Sequence, residues 1–491
     1  MPGHNPKRFV LAAMLAALAL RLVWMMLTDN SYEGDALARL ATAYDWKNNP
    51  RWFPSVDWMP LFPYLFGTAM KVGDAIWSPR ILNVLIGAAT VFVYYRVVCN
   101  EFGVETGKWA AVFLSIFHTH IFICGVTETE ALFALLVLLA VLFLQQHFQK
   151  GGVGYIVLAA LFISLSSLLR FEGWMFTLVL AAWFFVKTRK PLPVFLFLFL
   201  SSLAPLWEMY EMYAISGDAL WGITFSDKEV KLQYAMQPVT IPQRAFVFYI
   251  SFHLLLLPLF PAGLAKARSK KVAEYWWIIA LLPAFYALVK LMSGTLQPGI
   301  RYFSLYAILI APYGLFYLQE LYEKKRIKKG TLGLLIVVPS VISLALITFL
   351  YGSYNYLKLP EGYKSSASYA KQNLRDGRLM LDQEKYLIGN GWHVYADLQL
   401  LDAADTSSKG VIWRISGKTW LNQKFEQDSF ISDLSKRQVS HIVLFNDGEL
   451  CNYLGFTKEH QTLGKYSFDR VFYDGGYAIY KVDSSAAHNA P

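Results

Sequence analysis

The chain is poor in charge. Only 16% of its 491 residues are Asp, Glu, Lys or Arg, while 55% are hydrophobic. Soluble globular chains carry about 25% charged residues, so an ordinary water-soluble protein is excluded over most of the length. Cysteine is scarce as well. Cys99, Cys124 and Cys451 stand far apart, which leaves no disulfide framework and no zinc-ligand spacing. No internal repeat and no low-complexity tract is visible. The missing repeat counts against a transporter built from two related halves. The formal net charge is +10, but the basic residues form clusters between apolar stretches. That pattern gives no basic face for nucleic acid and fits a chain that orients itself in a bilayer.

What is present is a series of long apolar segments. About eleven spans are predicted, near 9–28, 81–99, 107–124, 131–148, 153–169, 173–186, 192–213, 245–265, 274–292, 304–322 and 331–352. The first follows Lys7 and Arg8, is longer than a signal-peptide core and lacks a small-residue cleavage site before Asp29. It reads as a retained span. Residues 60–77 are also apolar but contain Pro60, Pro63 and Gly67, and read as a re-entrant or interfacial helix.

Charge orients these spans. With the N-terminus inside, alternation gathers Lys7/Arg8, Arg96/Lys108, Lys150, Lys187/Arg189/Lys190, Lys266/Arg268/Lys270/Lys271 and Lys324/Lys325/Arg326/Lys328/Lys329 on one side. The positive-inside rule makes that side cytoplasmic. The expectation is a multi-pass protein of the cell (inner) membrane, or of the endoplasmic reticulum if eukaryotic. Its N-terminus is cytoplasmic and the segment after Tyr351 is extracytoplasmic.

Composition then changes. A transmembrane domain over residues 1–352 is followed by a soluble domain over 353–491. Val439–Phe445 reads as a buried strand, and Val471–Val482 as a hairpin turning at Asp474, Gly475 and Gly476. Helical patterns near Ser365–Leu374 and Asp428–Arg437 alternate with them, which predicts a small α/β domain. The fold class is mainly α: a polytopic membrane helix bundle with a C-terminal extracytoplasmic α/β domain.

The unusual residues collect on the expected outer side. The first outer loop holds Glu33, Asp35 and Arg39, with Asp35, Arg39, Thr42 and Trp46 on one helical face and Leu37, Leu40, Ala41 and Tyr44 on another. This is an amphipathic helix suited to the membrane interface. Asp35 suits either a catalytic carboxylate or a helix-start charge paired with Arg39. Thr127 and Glu130 fit a capping box, while Glu128 or Glu130 also suits a second acidic group that binds a cation or orients an acceptor. His118 and His120 lie within a span and read chiefly as hydrogen-bonding partners of neighbouring helices. Arg170 and Glu172, Lys290, and Arg301 with Tyr302 break the charge bias of the outer side. They suit either snorkelling or a grip on a lipid-linked phosphate.

Together these pieces resemble the GT-C membrane glycosyltransferases, in the branch of the dolichyl-phosphate-mannose protein mannosyltransferases and the lipid A aminoarabinose transferase. The resemblance rests on Glu33-Gly34-Asp35 with Arg39, Trp58-Met59-Pro60-Leu61, Ser78-Pro79-Arg80, Thr127–Leu132, Arg170-Phe171-Glu172-Gly173 and Arg301-Tyr302. Phe171 stands where the branch commonly has proline, and Ala36 where it often has Glu. The resemblance implies transfer of a sugar from a polyprenyl-phosphate donor to a glycan, lipid or protein acceptor at the outer side of the bilayer. It implies Asp35 as base with Glu33 second, and Arg301, Lys290, Arg170 and Tyr302 at the donor phosphate. Glu128, Glu130 and Glu172 would supply the second acidic group or an acceptor or metal contact, with Arg39 and Trp58 as supporting residues. A divalent metal ion is left open. The competing reading is a transporter or flippase of a lipid-linked substrate.

Overall fold

The computed structural model describes residues 6–30, 35–54, 58–236, 239–352, 358–374, 378–381, 386–397, 427–445, 449–455 and 458–484. The chain divides into two compact units. The first comprises Met1–Thr28, Val56–Phe62 and Arg80–Leu350, and the second Asp29–Ser55, Pro63–Pro79 and Tyr351–Pro491. Two segments of the expected first outer loop therefore fold with the C-terminal region.

Helices occur in the order α1 (Pro6–Leu27), α2 (Asp35–Asn48), α3 (Leu61–Val72), α4 (Trp77–Phe102), α5 (Val104–Ile116), α6 (His118–Cys124), α7 (Glu130–Lys150), α8 (Val153–Ser167) and α9 (Glu172–Thr188). They continue as α10 (Pro191–Ser216), α11 (Trp221–Met236), α12 (Ile241–Ser251), α13 (Leu256–Lys270), α14 (Trp276–Ser293), α15 (Ser304–Glu323) and α16 (Lys329–Gly352). All the segments expected to span are helical, but the count of eleven spans is not confirmed. Among the described residues 7 helices are long and apolar enough to cross a membrane, or up to 9 if each bent pair is one span. The α5–α6 pair bends by 52° and the α12–α13 pair by 67°. α8 and α9 have only 15 and 17 residues, short of the roughly 20 that a bilayer core requires.

Breaks and prolines leave backbone carbonyls without their helical donors, and no water is available in a bilayer to replace them. In the first unit, buried side chains supply the missing donors. Where α5 ends, Arg21 donates to the carbonyls of Leu114 at 2.9 Å and Ser115 at 3.1 Å, and to His120 Nδ1 at 2.7 Å. Where α12 ends, His118 Nε2 donates to Ile250 O at 2.8 Å and Thr119 Oγ1 to Ser251 O at 3.2 Å. His253 Nδ1 then accepts from the N–H groups of Leu255 and Leu256 at the start of α13, and its Nε2 donates to Ile336 O at 2.9 Å. Pro205 and Pro312 lie inside α10 and α15 and free the carbonyls four residues earlier. Ser164 donates to Ser201 O at 3.3 Å, and Tyr94 to Ile308 O at 2.8 Å.

The second unit contains a five-stranded sheet of β1 (Arg378–Leu381), β2 (Val439–Leu444), β3 (His460–Leu463), β4 (Tyr466–Asp474) and β5 (Tyr477–Ser484). The order is β1-β2-β5-β4-β3, with β1 parallel to β2 and the other pairs antiparallel. Gly475 and Gly476 both take positive φ in the β4–β5 turn, as a two-residue hairpin turn of this hand requires. Successive residues of β2 and β5 alternate between two cores. Val443, Tyr477 and Ile479 join Leu37, Tyr363 and Trp392 in one; Ile442, Ala478 and Tyr480 join Phe430 and Leu450 in the other. Four further helices complete this unit: α17 (Glu361–Asn373), α18 (Tyr386–Ala396), α19 (Gln427–Arg437) and α20 (Glu449–Leu454). The apolar face of α2 is enclosed by protein: Leu37, Leu40, Ala41 and Tyr44 are all buried, and Leu37 lies in the sheet's core. α3 has 12 residues, too few to span.

Removing the Tyr94 hydroxyl tests the carbonyl account. Tyr94→Phe leaves Ile308 O unpaired and should cost about 1–3 kcal/mol, read as a lower melting temperature in detergent. Pro312→Ala restores the missing N–H, so the cost of Tyr94→Phe should shrink in that background. An equal loss in both backgrounds would contradict the account.

Candidate active site

The acidic turn at Thr127–Glu130 is held from behind. Asn83 Nδ2 donates to the carbonyls of Ile123 at 3.0 Å and Val126 at 2.5 Å. Arg80 binds Gly125 O through Nε at 3.0 Å and Nη2 at 2.9 Å, and donates from Nη2 to Met25 O and Thr28 O, both at 2.7 Å. One guanidinium thus ties the ends of α1 and α6 together. Thr127 is not the N-cap of α7. α7 starts at Glu130 with Thr129 at its N-cap and no side-chain cap bond from that residue, and the Glu130 carboxylate is engaged by an arginine.

That arginine is Arg170. Its Nη1 donates to Glu130 Oε1 at 2.5 Å and to Thr129 Oγ1 at 3.1 Å. Nε and Nη2 form a two-point fork on Glu172, at 3.2 and 2.7 Å. Beside it, Arg301 Nη1 pairs with Glu128 Oε1, and neither side chain has exposed surface. Arg301 Nε lies 3.8 Å from Glu130 Oε1. Arg301 Nη2 donates to the Tyr302 hydroxyl at 2.7 Å, which donates to Gln297 at 2.8 Å. Both guanidiniums also approach the Tyr302 ring, at 4.8 Å for Arg301 and 5.5 Å for Arg170. The two arginines and three glutamates predicted from separate segments therefore form one network. With all five ionised, +2 and −3 leave one negative charge in excess.

Electrostatics hold this state. Burial opposes the charge on Arg170, but Glu172 and Glu130 outweigh it and raise its pKa. Burial pushes the Glu172 carboxyl up, and Arg170 more than reverses this, leaving it below the ordinary carboxylate range. A depressed carboxylate contributes stability above its unfolded pKa and loses it as pH falls through the folded one. The contribution of Glu172 should therefore be intact at neutral pH and disappear in acid below the usual glutamate range.

The other candidates are placed differently. Lys290 Nζ pairs with Asp227 Oδ1 at 3.0 Å, with its side chain about a quarter exposed. Arg244, overlooked in the sequence, donates to Met292 O at 2.8 Å and to Val239 O at 3.0 Å, and lies 4.3 Å from the Tyr234 ring. Its signal was a cation at the expected outer start of the eighth apolar segment. Trp58 is partly buried in the first unit. Asp35 and Arg39 belong to the second unit on α2, Asp35 in its first turn and partly exposed, Arg39 buried. Glu33 lies outside the described residues. Among the described residues no group of three or more His, Cys, Asp or Glu side chains could hold a metal ion.

Residues 54–207 match the family model described as dolichyl-phosphate-mannose-protein mannosyltransferase. Among solved structures, ArnT from Cupriavidus metallidurans bound to undecaprenyl phosphate matches with TM-score 0.62 and 13% identity, covering 97% of this chain and 98% of that one. The oligosaccharyltransferase of Archaeoglobus fulgidus in complex with Zn and sulfate matches with TM-score 0.59 and 14% identity, covering 89% and 68%. The same organism's AglB, in complex with an inhibitory peptide and a dolichol-phosphate, matches with TM-score 0.54 and 12% identity, covering 91% and 70%. No curated protein sequence matches. The chain has the ArnT-like fold of the GT-C glycosyltransferases.

The enclosed Glu128–Arg301 pair yields a direct test. Arg301→Ala strands a buried carboxylate and should cost about 3–5 kcal/mol, whereas Arg301→Met with Glu128→Leu should recover most of it. Melting of the purified variants measures both. An Arg301→Ala protein that melts like wild type but no longer binds polyprenyl phosphate would assign Arg301 to the donor instead.

Proposed function

We propose that this GT-C chain transfers a sugar from a polyprenyl-phosphate carrier to an acceptor hydroxyl on the extracytoplasmic side of the bilayer. The observation that carries this is the near end-to-end similarity to ArnT, whose structure holds undecaprenyl phosphate. AglB holds a dolichol-phosphate in the same fold. An extracytoplasmic site has no supply of nucleotide sugars, so a lipid-linked donor suits the topology read from the basic loops. The transporter alternative has no structural observation in its favour.

In the reaction, an acceptor oxygen forms a bond to the anomeric carbon while the bond from that carbon to the phosphate oxygen breaks. Polyprenyl phosphate leaves with the bonding electrons. A carboxylate takes the acceptor proton as its oxygen attacks. We assign that role to Asp35, with Glu33 as the second candidate. Cations stabilise the charge developing on the departing phosphate. Lys290 and Arg244 suit this best, being partly exposed and close to the same end of α14. Arg170 and Tyr302 border the acidic network that would face donor or acceptor. Arg301 is enclosed by Glu128 and fits the role of holding the acidic turn. A divalent ion fits the three glutamates of the first unit poorly. Glu128 is paired with Arg301, and Arg170 binds Glu130 and Glu172, so a metal would have to displace a guanidinium.

Turnover of Asp35→Asn beside Glu33→Gln, at matched expression and melting temperature, tests the base. Asp35→Asn should lower the rate by roughly 10²–10⁴, and Lys290→Ala should weaken use of the donor. Activity in both carboxamide variants would remove the first loop from the chemistry.

A further inference from the structure

Within the second unit, α18 grips α2 at two points. Gly391 lies against Leu37, where an added Cβ would stand 2.9 Å from the Leu37 Cβ. Seven residues along α2, two turns or roughly 10 Å by helical rise, Tyr44 and Asp45 meet His393. The Tyr44 ring stands edge-on to the imidazole at 5.5 Å. Its hydroxyl donates to Asp397 Oδ1 at 3.0 Å. Contacts at both ends fix the rotation of α2 as well as its position.

His393 is the unusual member. It is 1% exposed, and neither ring nitrogen has a hydrogen-bond partner. Its Nε2 lies 3.6 Å from Asp45 Oδ1, just beyond hydrogen-bond reach. Leaving a buried polar group unpaired costs free energy that a small approach to Asp45 would recover. Among the described residues, these charged groups stand near the pair. On α2 they are Asp45 itself and Lys47, whose ammonium lies 5.1 Å from the Tyr44 ring. At the end of α18 is Asp397, and from α17 Lys371 comes within 3.7 Å of Asp397. Asp397 is thus occupied by Tyr44 and Lys371, and Asp45 is the carboxylate poised for the imidazole.

We propose that α18 is a proton-responsive clasp on α2, with His393 and Asp45 as its two positioning residues. Protonation adds a second N–H donor and a positive charge, and draws the 3.6 Å approach into a charged bond. α2 carries Asp35 in its first turn, so the clasp also governs where that carboxylate stands; this last clause rests on the proposed function. A histidine that gains a partner when charged adds stability at low pH and loses it as pH rises.

The full-length protein in detergent tests the clasp. Between pH 7.5 and 5.5, wild type should gain about 2–4 °C in melting temperature relative to His393→Gln, and Asp45→Asn should abolish the gain. Should either variant fail to fold, hydrogen exchange of wild type decides. α2 amides, corrected for intrinsic exchange rates, should become several-fold better protected at pH 5.5. Unchanged protection, or the same pH response in all proteins, would overturn the clasp. The ratio of wild-type to His393→Gln turnover should rise at pH 5.5; a constant ratio would overturn its link to Asp35. A wild type that shows the protection change but no sugar transfer would refute the functional reading and leave the clasp intact.

Discussion

The guanidinium of Arg80 gathers the carbonyls of Met25, Thr28 and Gly125, and the rest of the acidic site depends on that gathering. A charge buried in a helix bundle is costly unless its donors are satisfied. Here they are satisfied by carbonyls that the ends of α1 and α6 leave without helical partners. Each side of the exchange resolves the other's deficit. The product is a fixed turn after α6, from which Glu128 and Glu130 project toward Arg301 and Arg170. Asn83 repeats the device on the neighbouring carbonyls.

The same logic recurs through the first unit. Arg21, His118, His253, Ser164 and Tyr94 each donate to a carbonyl in another helix. Polar side chains that would be liabilities in a lipid-facing helix become the means by which bent and proline-containing helices are tolerated. The second unit has a different organisation. Its sheet is covered on both faces, and α2 supplies Leu37 to one of its cores. The C-terminal region therefore has a structural duty toward α2.

Much of this was legible in the sequence. Long apolar runs gave the helices, because burial from water requires no knowledge of partners. The hairpin at Asp474–Gly476 and the strand at Val439 were legible because turn chemistry and β-branched runs are local signals. The bends at Phe117 and after Ser251 were not legible, because the carbonyls they free are met by donors from distant helices. The helix start expected at Thr127 falls at Glu130, whose carboxylate is engaged by Arg170, 40 residues away. The charges of the expected outer loops marked Glu128, Glu130, Arg170, Glu172, Arg301 and Tyr302, and these do converge. Their pairing was hidden: a sequence does not tell an arginine open to a phosphate from one closed against a glutamate. Likewise the apolar face of α2 looked the same whether its partner was lipid or the C-terminal domain.

The most direct measurement is the fate of the carrier in proteoliposomes loaded with a polyprenyl-phosphate sugar labelled in the sugar and supplied with candidate acceptors. A transferase should release unglycosylated polyprenyl phosphate in one-to-one step with label appearing in a new glycosidic bond. Movement of the intact labelled lipid between leaflets, with no carrier released under any acceptor, would contradict sugar transfer and point to transport.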